Sequence, residues 1–148
     1  MKERRIYLDT SAIVKRYLLE PGTEIVDSIY KDAHRREVLI GFSSWNIGEA
    51  SVVFDKYERM GVINEARKVF EKFLLESRTL VLSGSLRILS ITPDVISRSV
   101  ALVFRYHIYI TDALQLSCTR EGFDEFATAD RKLAEVAENE NIKTILIE

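Results

Sequence analysis

Arg4-Arg5-Ile6-Tyr7-Leu8-Asp9-Thr10-Ser11-Ala12-Ile13-Val14 joins a short apolar run to an acid, two hydroxyl residues and then apolar residues at helical spacing. Ile6 and Tyr7 are strand formers, and Thr10 and Ser11 are good helix caps ahead of Ile13, Val14, Tyr17 and Leu18, which repeat at helical intervals. The stretch therefore predicts a strand that hands over to a helix at Asp9. In open α/β sheets ligands bind beyond the carboxyl ends of the strands, so the acid stands where a site would form.

Further along, Glu20-Pro21-Gly22 ends the first helix, and Ile25, Val26, Ile29 and Tyr30 mark a second. Val38-Leu39-Ile40-Gly41-Phe42 reads as a buried strand. Ser43-Ser44 caps a third helix with Ile47, Ala50, Val53, Phe54 and Tyr57 on its inner face. Gly61 breaks that helix before Ile63, Ala66, Val69, Phe70, Phe73 and Leu74, which predicts a helical hairpin from Ser44 to about Ser77. A third strand is expected over Arg87 to Ile91, then a helix opened by Thr92-Pro93-Asp94, another from Thr111-Asp112, a fourth strand from Phe123 to Thr128, a helix after Asp130 and a closing strand over Thr144 to Ile147. Strands alternating with helices imply an α/β fold of three layers, α/β/α, around a mostly parallel sheet.

A chain of 148 residues, 47% hydrophobic and 30% charged with few Gly or Pro, reads as one domain over 1–148 with a sizeable core. Neither a signal-peptide core nor a membrane-length apolar run is present, so the expected location is the cytoplasm. Cys118, the single cysteine, excludes an internal disulfide and a thiolate zinc cluster, and its setting after Leu114-Gln115-Leu116-Ser117 suits a small buried helical residue. The net charge of -2 argues at first against nucleic acid. Setting aside four acids gathered in one site leaves the remainder at +2, and His34-Arg35-Arg36, Arg67-Lys68 and Arg131-Lys132 supply local positive patches.

Four acids fall near helix starts: Asp9 after the first strand, Glu49 in the helix after the second, Asp112 opening a helix, and Asp130 just beyond the fourth strand. Helices that follow parallel strands begin at one sheet edge, so these acids can converge. Any one of Asp9, Asp112 or Asp130 is accounted for as a helix cap, which stabilises a helix start by ~1 kcal/mol. Caps do not account for Glu49 among inward-pointing Ile47, Ala50 and Val53, or for a charge in Tyr109-Ile110-Thr111-Asp112-Ala113-Leu114. Carboxylates drawn into a partly dry cleft raise one another's pKa unless a cation neutralises them, and an all-oxygen set suits Mg²⁺ or Mn²⁺ better than zinc.

Leu8-Asp9-Thr10-Ser11-Ala12, Ser44-Trp45-Asn46-Ile47-Gly48-Glu49, Thr111-Asp112-Ala113-Leu114-Gln115-Leu116 and Ala127-Thr128-Ala129-Asp130-Arg131-Lys132-Leu133 resemble, in order, the four acidic motifs of the PIN domain, particularly of the single-domain VapC-type toxins. The resemblance implies a sheet of about five strands in the order 3-2-1-4-5 and a Mg²⁺- or Mn²⁺-dependent ribonuclease. It also implies a small antitoxin partner and a homodimer. By that match Asp9 and Asp112 are metal ligands, Glu49 and Asp130 complete the acidic site, and the Thr10 and Thr128 hydroxyls support it. Gln115 departs from the family, where many members carry histidine after the Asp-Ala-Leu run.

Such a site hydrolyses phosphodiesters through activated water, in keeping with the lack of a Gly-x-Ser-x-Gly elbow or a Gly-rich phosphate loop. A haloacid-type phosphatase fits poorly, because the second acid expected two residues after Asp9 is Ser11. Two alternatives stay open: a nuclease acting on DNA, and a non-catalytic interaction module. The hairpin's broad apolar face, with Phe54, Tyr57, Met60 and Phe70, reads either as a thick core or as a groove for an amphipathic partner segment.

Overall fold

The computed structural model describes residues 3–148. The chain runs β1 (Arg4–Leu8), α1 (Thr10–Val14), α2 (Thr23–His34), β2 (Val38–Ser43), α3 (Ser44–Arg59), α4 (Ala66–Leu82) and β3 (Leu86–Leu89). It continues through α5 (Pro93–Tyr106), α6 (Ile110–Thr119), β4 (Glu125–Thr128), α7 (Arg131–Asn139) and β5 (Lys143–Leu146). All strand pairs are parallel, and the sheet order is β3-β2-β1-β4-β5. This is the α/β architecture and strand order expected. The predicted third strand shifts to Leu86–Leu89, the fourth is trimmed to Glu125–Thr128, and the closing strand shifts one residue back, to Lys143–Leu146.

Period-two alternation along the central strand explains the two helical layers. Ile6 and Leu8 face one side with Ile40 and Phe42, where α1 to α4 supply Ile13, Val26, Tyr30, Phe54 and Phe73. Tyr7 and Leu39 face the other, against Val95 and Leu102 of α5, Leu116 and Cys118 of α6, Phe126 and Leu133. Covered on both faces, β2 is buried along its whole length, as parallel sheets require. Among the described residues no helix is long and apolar enough to cross a membrane.

Two local readings are corrected. The start of α1 is capped by Asp9, whose side chain accepts from the Ala12 N–H, and Thr10 and Ser11 lie inside the helix. The helix also stops at Val14, short of Tyr17 and Leu18. There the chain tightens into turns, and Arg16 and Tyr17 converge on Glu76 of α4: Arg16 Nε and Nη2 fork its carboxylate at 2.9 and 2.7 Å, and the Tyr17 hydroxyl donates at 2.7 Å. These donors, Arg16 foremost, hold the Glu76 carboxyl down at about 2 against the opposing effect of burial. The hairpin of α3 and α4 is thereby clamped to α1. Most of its apolar face is core: Phe54 and Phe73 are fully buried, and Tyr57, Ile63, Val69 and Phe70 pack against them. Val52, Met60 and Leu75 remain exposed.

Gly41 of β2 has no room for a side chain, since a Cβ there would meet the Phe123 ring at 2.1 Å. That ring stacks edge-on against Tyr7, the strand partner of Gly41, with centroids 5.7 Å apart. Gly41→Ala is expected to lower unfolding free energy by about 1–3 kcal/mol through overpacking. Gly48→Ala, in open space within α3, is expected to raise it by about 0.5–1 kcal/mol. Chemical denaturation of the two variants measures both, and a neutral Gly41→Ala would contradict the packing described.

Candidate active site at the carboxyl edge of the sheet

Strand order places the site. After β1 the chain builds β2 and β3 to one side, then returns to build β4 and β5 on the other, so a crevice opens beyond the carboxyl ends of β1 and β4. Pairing of Leu8 with Ala127 sets Asp9 beside Thr128, and the Asp9 N–H extends the ladder to the Ala127 carbonyl at 3.1 Å. Asp112 arrives from the first turn of α6, Glu49 from α3, and Asp130 as the N-cap of α7, bonded to the Leu133 N–H. All four acids line one cleft of about 410 Å³, together with Thr10, Ser11, Val52, Val53 and Gln115.

Asp9 is 5% exposed, and both of its oxygens accept hydrogen bonds. Oδ1 accepts from the Ser11 hydroxyl at 2.6 Å and the Ala12 N–H at 3.0 Å, while Oδ2 accepts from Thr128 Oγ1 at 2.5 Å. Burial nonetheless outweighs these bonds, and with the nearby Asp112 charge it pushes the Asp9 carboxyl up to about 6. Asp112, half-buried, is also raised, first by burial and then by Asp130 and Glu49. Asp130 is exposed.

The four acids line the cleft without closing on one point. Among the described residues, no group of three His, Cys, Asp or Glu side chains forms a finished metal cage. The donors present, carboxylate and hydroxyl oxygens without His or Cys, fit Mg²⁺ or Mn²⁺.

Beneath the cleft lies a buried polar network that sequence reading missed. Thr10 Oγ1 donates to Glu49 Oε1 at 2.8 Å and accepts from Asn46 Nδ2 at 2.9 Å. Asn46 also donates to Gln115 Oε1 at 2.9 Å, and its Oδ1 accepts from the Ser43 N–H at 2.7 Å. The Tyr7 hydroxyl lies 3.0 Å from both Asn46 Oδ1 and Gln115 Oε1. Gln115 Nε2 donates to the Thr111 carbonyl, so this residue, 3% exposed, is committed to holding α6 against α3. Ser11 was legible only as a cap; it also fastens Asp9 and accepts from the Ala129 N–H.

In metal-free protein the raised Asp9 carboxyl makes stability fall as pH rises. The unfolded chain releases this proton near pH 4 and the folded chain near pH 6, so the loss accumulates between those values, on the order of 3 kcal/mol, and persists above them. Asn at this position can keep the bonds to Ala12 and Ser11 without the charge. Asp9→Asn is therefore expected to melt higher than the parent above about pH 6 and equally near pH 4, as followed by thermal denaturation in chelator. A lower melting point at neutral pH would mark Asp9 as purely a structural cap.

No curated protein shows significant sequence similarity to the chain. Solved structures share its fold. PAE2754 from Pyrobaculum aerophilum superposes with a TM-score of 0.64 at 18% identity, over 90% of this chain and 79% of that one. VapC20 from Mycobacterium tuberculosis, described as a sarcin-ricin loop cleaving toxin, gives 0.64 at 13% identity over 88% and 93%. A chain of VapBC2 from Rickettsia felis, solved bound to a DNA fragment from its promoter, gives 0.65 at 14% identity over 97% and 99%. A match to the family described as the PIN domain runs over residues 6–139, from within β1 to the end of α7 and across all four acids, and the chain belongs to that family.

Proposed function

We propose that this chain is a single-domain, divalent-metal-dependent ribonuclease of the cytoplasm, the toxin of a toxin-antitoxin pair. The observation that carries the reading is the convergence of Asp9, Glu49, Asp112 and Asp130, from four separate elements, on one cleft at the switch point of a parallel sheet. The names of VapC20 and VapBC2, which share the fold, support the toxin and its partner.

Asp9 and Asp112 hold the ion in this reading, with Glu49 and Asp130 completing the acidic set. A bound Mg²⁺ or Mn²⁺ supplies positive charge against the phosphate and activates water for in-line hydrolysis. Ser11 and Thr128 fix the Asp9 carboxylate, and Thr10, itself held by Asn46, fixes Glu49. The Thr10, Ser11 and Thr128 hydroxyls all donate to carboxylates, in keeping with water as the attacking group. Val52 and Val53 form an apolar wall of the cleft.

Calorimetric titration with Mn²⁺ is expected to show binding that Asp112→Asn weakens by at least about tenfold, with cleavage of single-stranded RNA reduced roughly 10²-fold or more. Cutting of the matching DNA oligonucleotide instead would make the chain a DNA nuclease. Folded protein that binds no metal and cuts neither would support the interaction module.

The antitoxin partner finds apolar side chains on the hairpin, where Val52 at the cleft wall and Met60 farther along α3 are 64% and 62% exposed. Phe70, packed on the core, is not available to it. For the homodimer the supporting feature is on α5: Ile96, Val100 and Phe104 recur every four residues on its exposed side, and exposed Tyr109 and Ile110 follow. Sedimentation is expected to give a dimer at micromolar concentration and a monomer for Phe104→Glu. A parent that stays monomeric throughout removes this assembly.

A further inference from the structure

A second cleft, of about 350 Å³, adjoins the acidic one and shares Ser11 and Val53 with it. Its character is opposite. Lys15 and Lys56 line it against a single carboxylate, Glu20, whose Oε2 already accepts from the Tyr57 hydroxyl at 3.1 Å. The Lys15 side chain is only 13% exposed, and the contact of its Nζ to Glu20 Oε1 is long, 3.4 Å. An ammonium has three donors, and the Glu20 contact engages one of them. The Lys56 side chain makes no hydrogen bond or ion pair with any described residue.

Helix geometry makes the two clefts continuous. On α3, Glu49, Val53 and Lys56 with Tyr57 follow one face, carrying it from acid to base over roughly 10 Å of axis. On α1, Asp9 caps the start and Lys15 the end, with Ser11, shared by both clefts, between them. A strand whose scissile phosphate lies among the four acids and their cation would bring the phosphate of an adjoining nucleotide to the lysines.

We propose that the Lys15–Lys56 cleft is a phosphate subsite that binds the RNA backbone beside the scissile bond and sets the direction in which the strand crosses the site. The proposal rests on the nuclease reading above. Occupancy by phosphate adds partners for the Lys15 and Lys56 ammoniums, and the carboxylate of Glu20 holds the ammonium of Lys15 within the cleft lining in the free protein.

The test measures binding of an end-labelled single-stranded RNA oligonucleotide in Mg²⁺ by anisotropy across a salt series, together with KM and kcat. Lys56→Ala, an exposed change, is expected to weaken binding roughly fivefold, to reduce the slope of log affinity against log salt by about 0.7, and to raise KM with little change in kcat. Lys15→Met is expected to do the same; should it fail to fold, Lys56→Ala and Lys56→Arg decide, the latter restoring affinity. Lys72→Ala, an exposed change on α4 outside both clefts, is the control for net charge. Parent protein that binds and cuts RNA, with Lys56→Ala unaltered or no different from Lys72→Ala, overturns the subsite and leaves the nuclease reading standing. Parent protein that neither binds nor cuts overturns both.

Discussion

An ionised carboxylate in a nearly dry setting is costly unless its oxygens are satisfied, and Asp9 imposes that requirement on everything around it. Satisfying it takes the α1 backbone at Ala12, a hydroxyl two residues on at Ser11, and a hydroxyl from the far end of the chain at Thr128. The last of these is available only because β4 lies beside β1 in register. Local cap, sheet pairing and site therefore share one side chain. The remaining misfit, a carboxyl that still favours its proton more than a solvated acid does, is what a divalent cation would relieve.

Much of this was legible in the sequence. Ile6-Tyr7-Leu8 and Val38 to Phe42 announce strands, and helical spacing separates them, which sufficed for the layers and the sheet. Asp9 and Asp130 stand at helix caps, Asp112 in a first helical turn and Glu49 a turn farther into α3, and those helix starts share an edge. Element boundaries were less legible. The strands after Ser85 and Phe123 start where parallel pairing begins, a relation between segments far apart in the chain. α1 ends early because Arg16 and Tyr17 turn toward Glu76, sixty and fifty-nine positions away.

The second layer of the site was not legible, for a related reason. Asn46 reads as one more residue of a helix start, and Tyr7 as a strand aromatic with its tip in the core. Their joint role appears only when Gln115 of α6 meets them across the sheet edge. The glutamine that departs from the family pattern is thus part of a closed amide and hydroxyl framework. Such networks specify one arrangement of the elements they join, since a partly bonded version would leave buried amides unpaired. Glu49 is tied to this framework through Thr10.

The placement of β1 at the centre of the sheet has a consequence for when the cleft comes into being. Thr128 lies 119 positions after Asp9, and the neighbouring strand that carries it is the fourth of five to leave the ribosome. Until β4 has been made, β1 has no partner for its inner edge and Asp9 Oδ2 has no hydroxyl to accept from. Synthesis order thus acts as a timer: a chain that stops short of β4 carries Asp9, Glu49 and Asp112 without the hydroxyl that completes the Asp9 carboxylate's bonding.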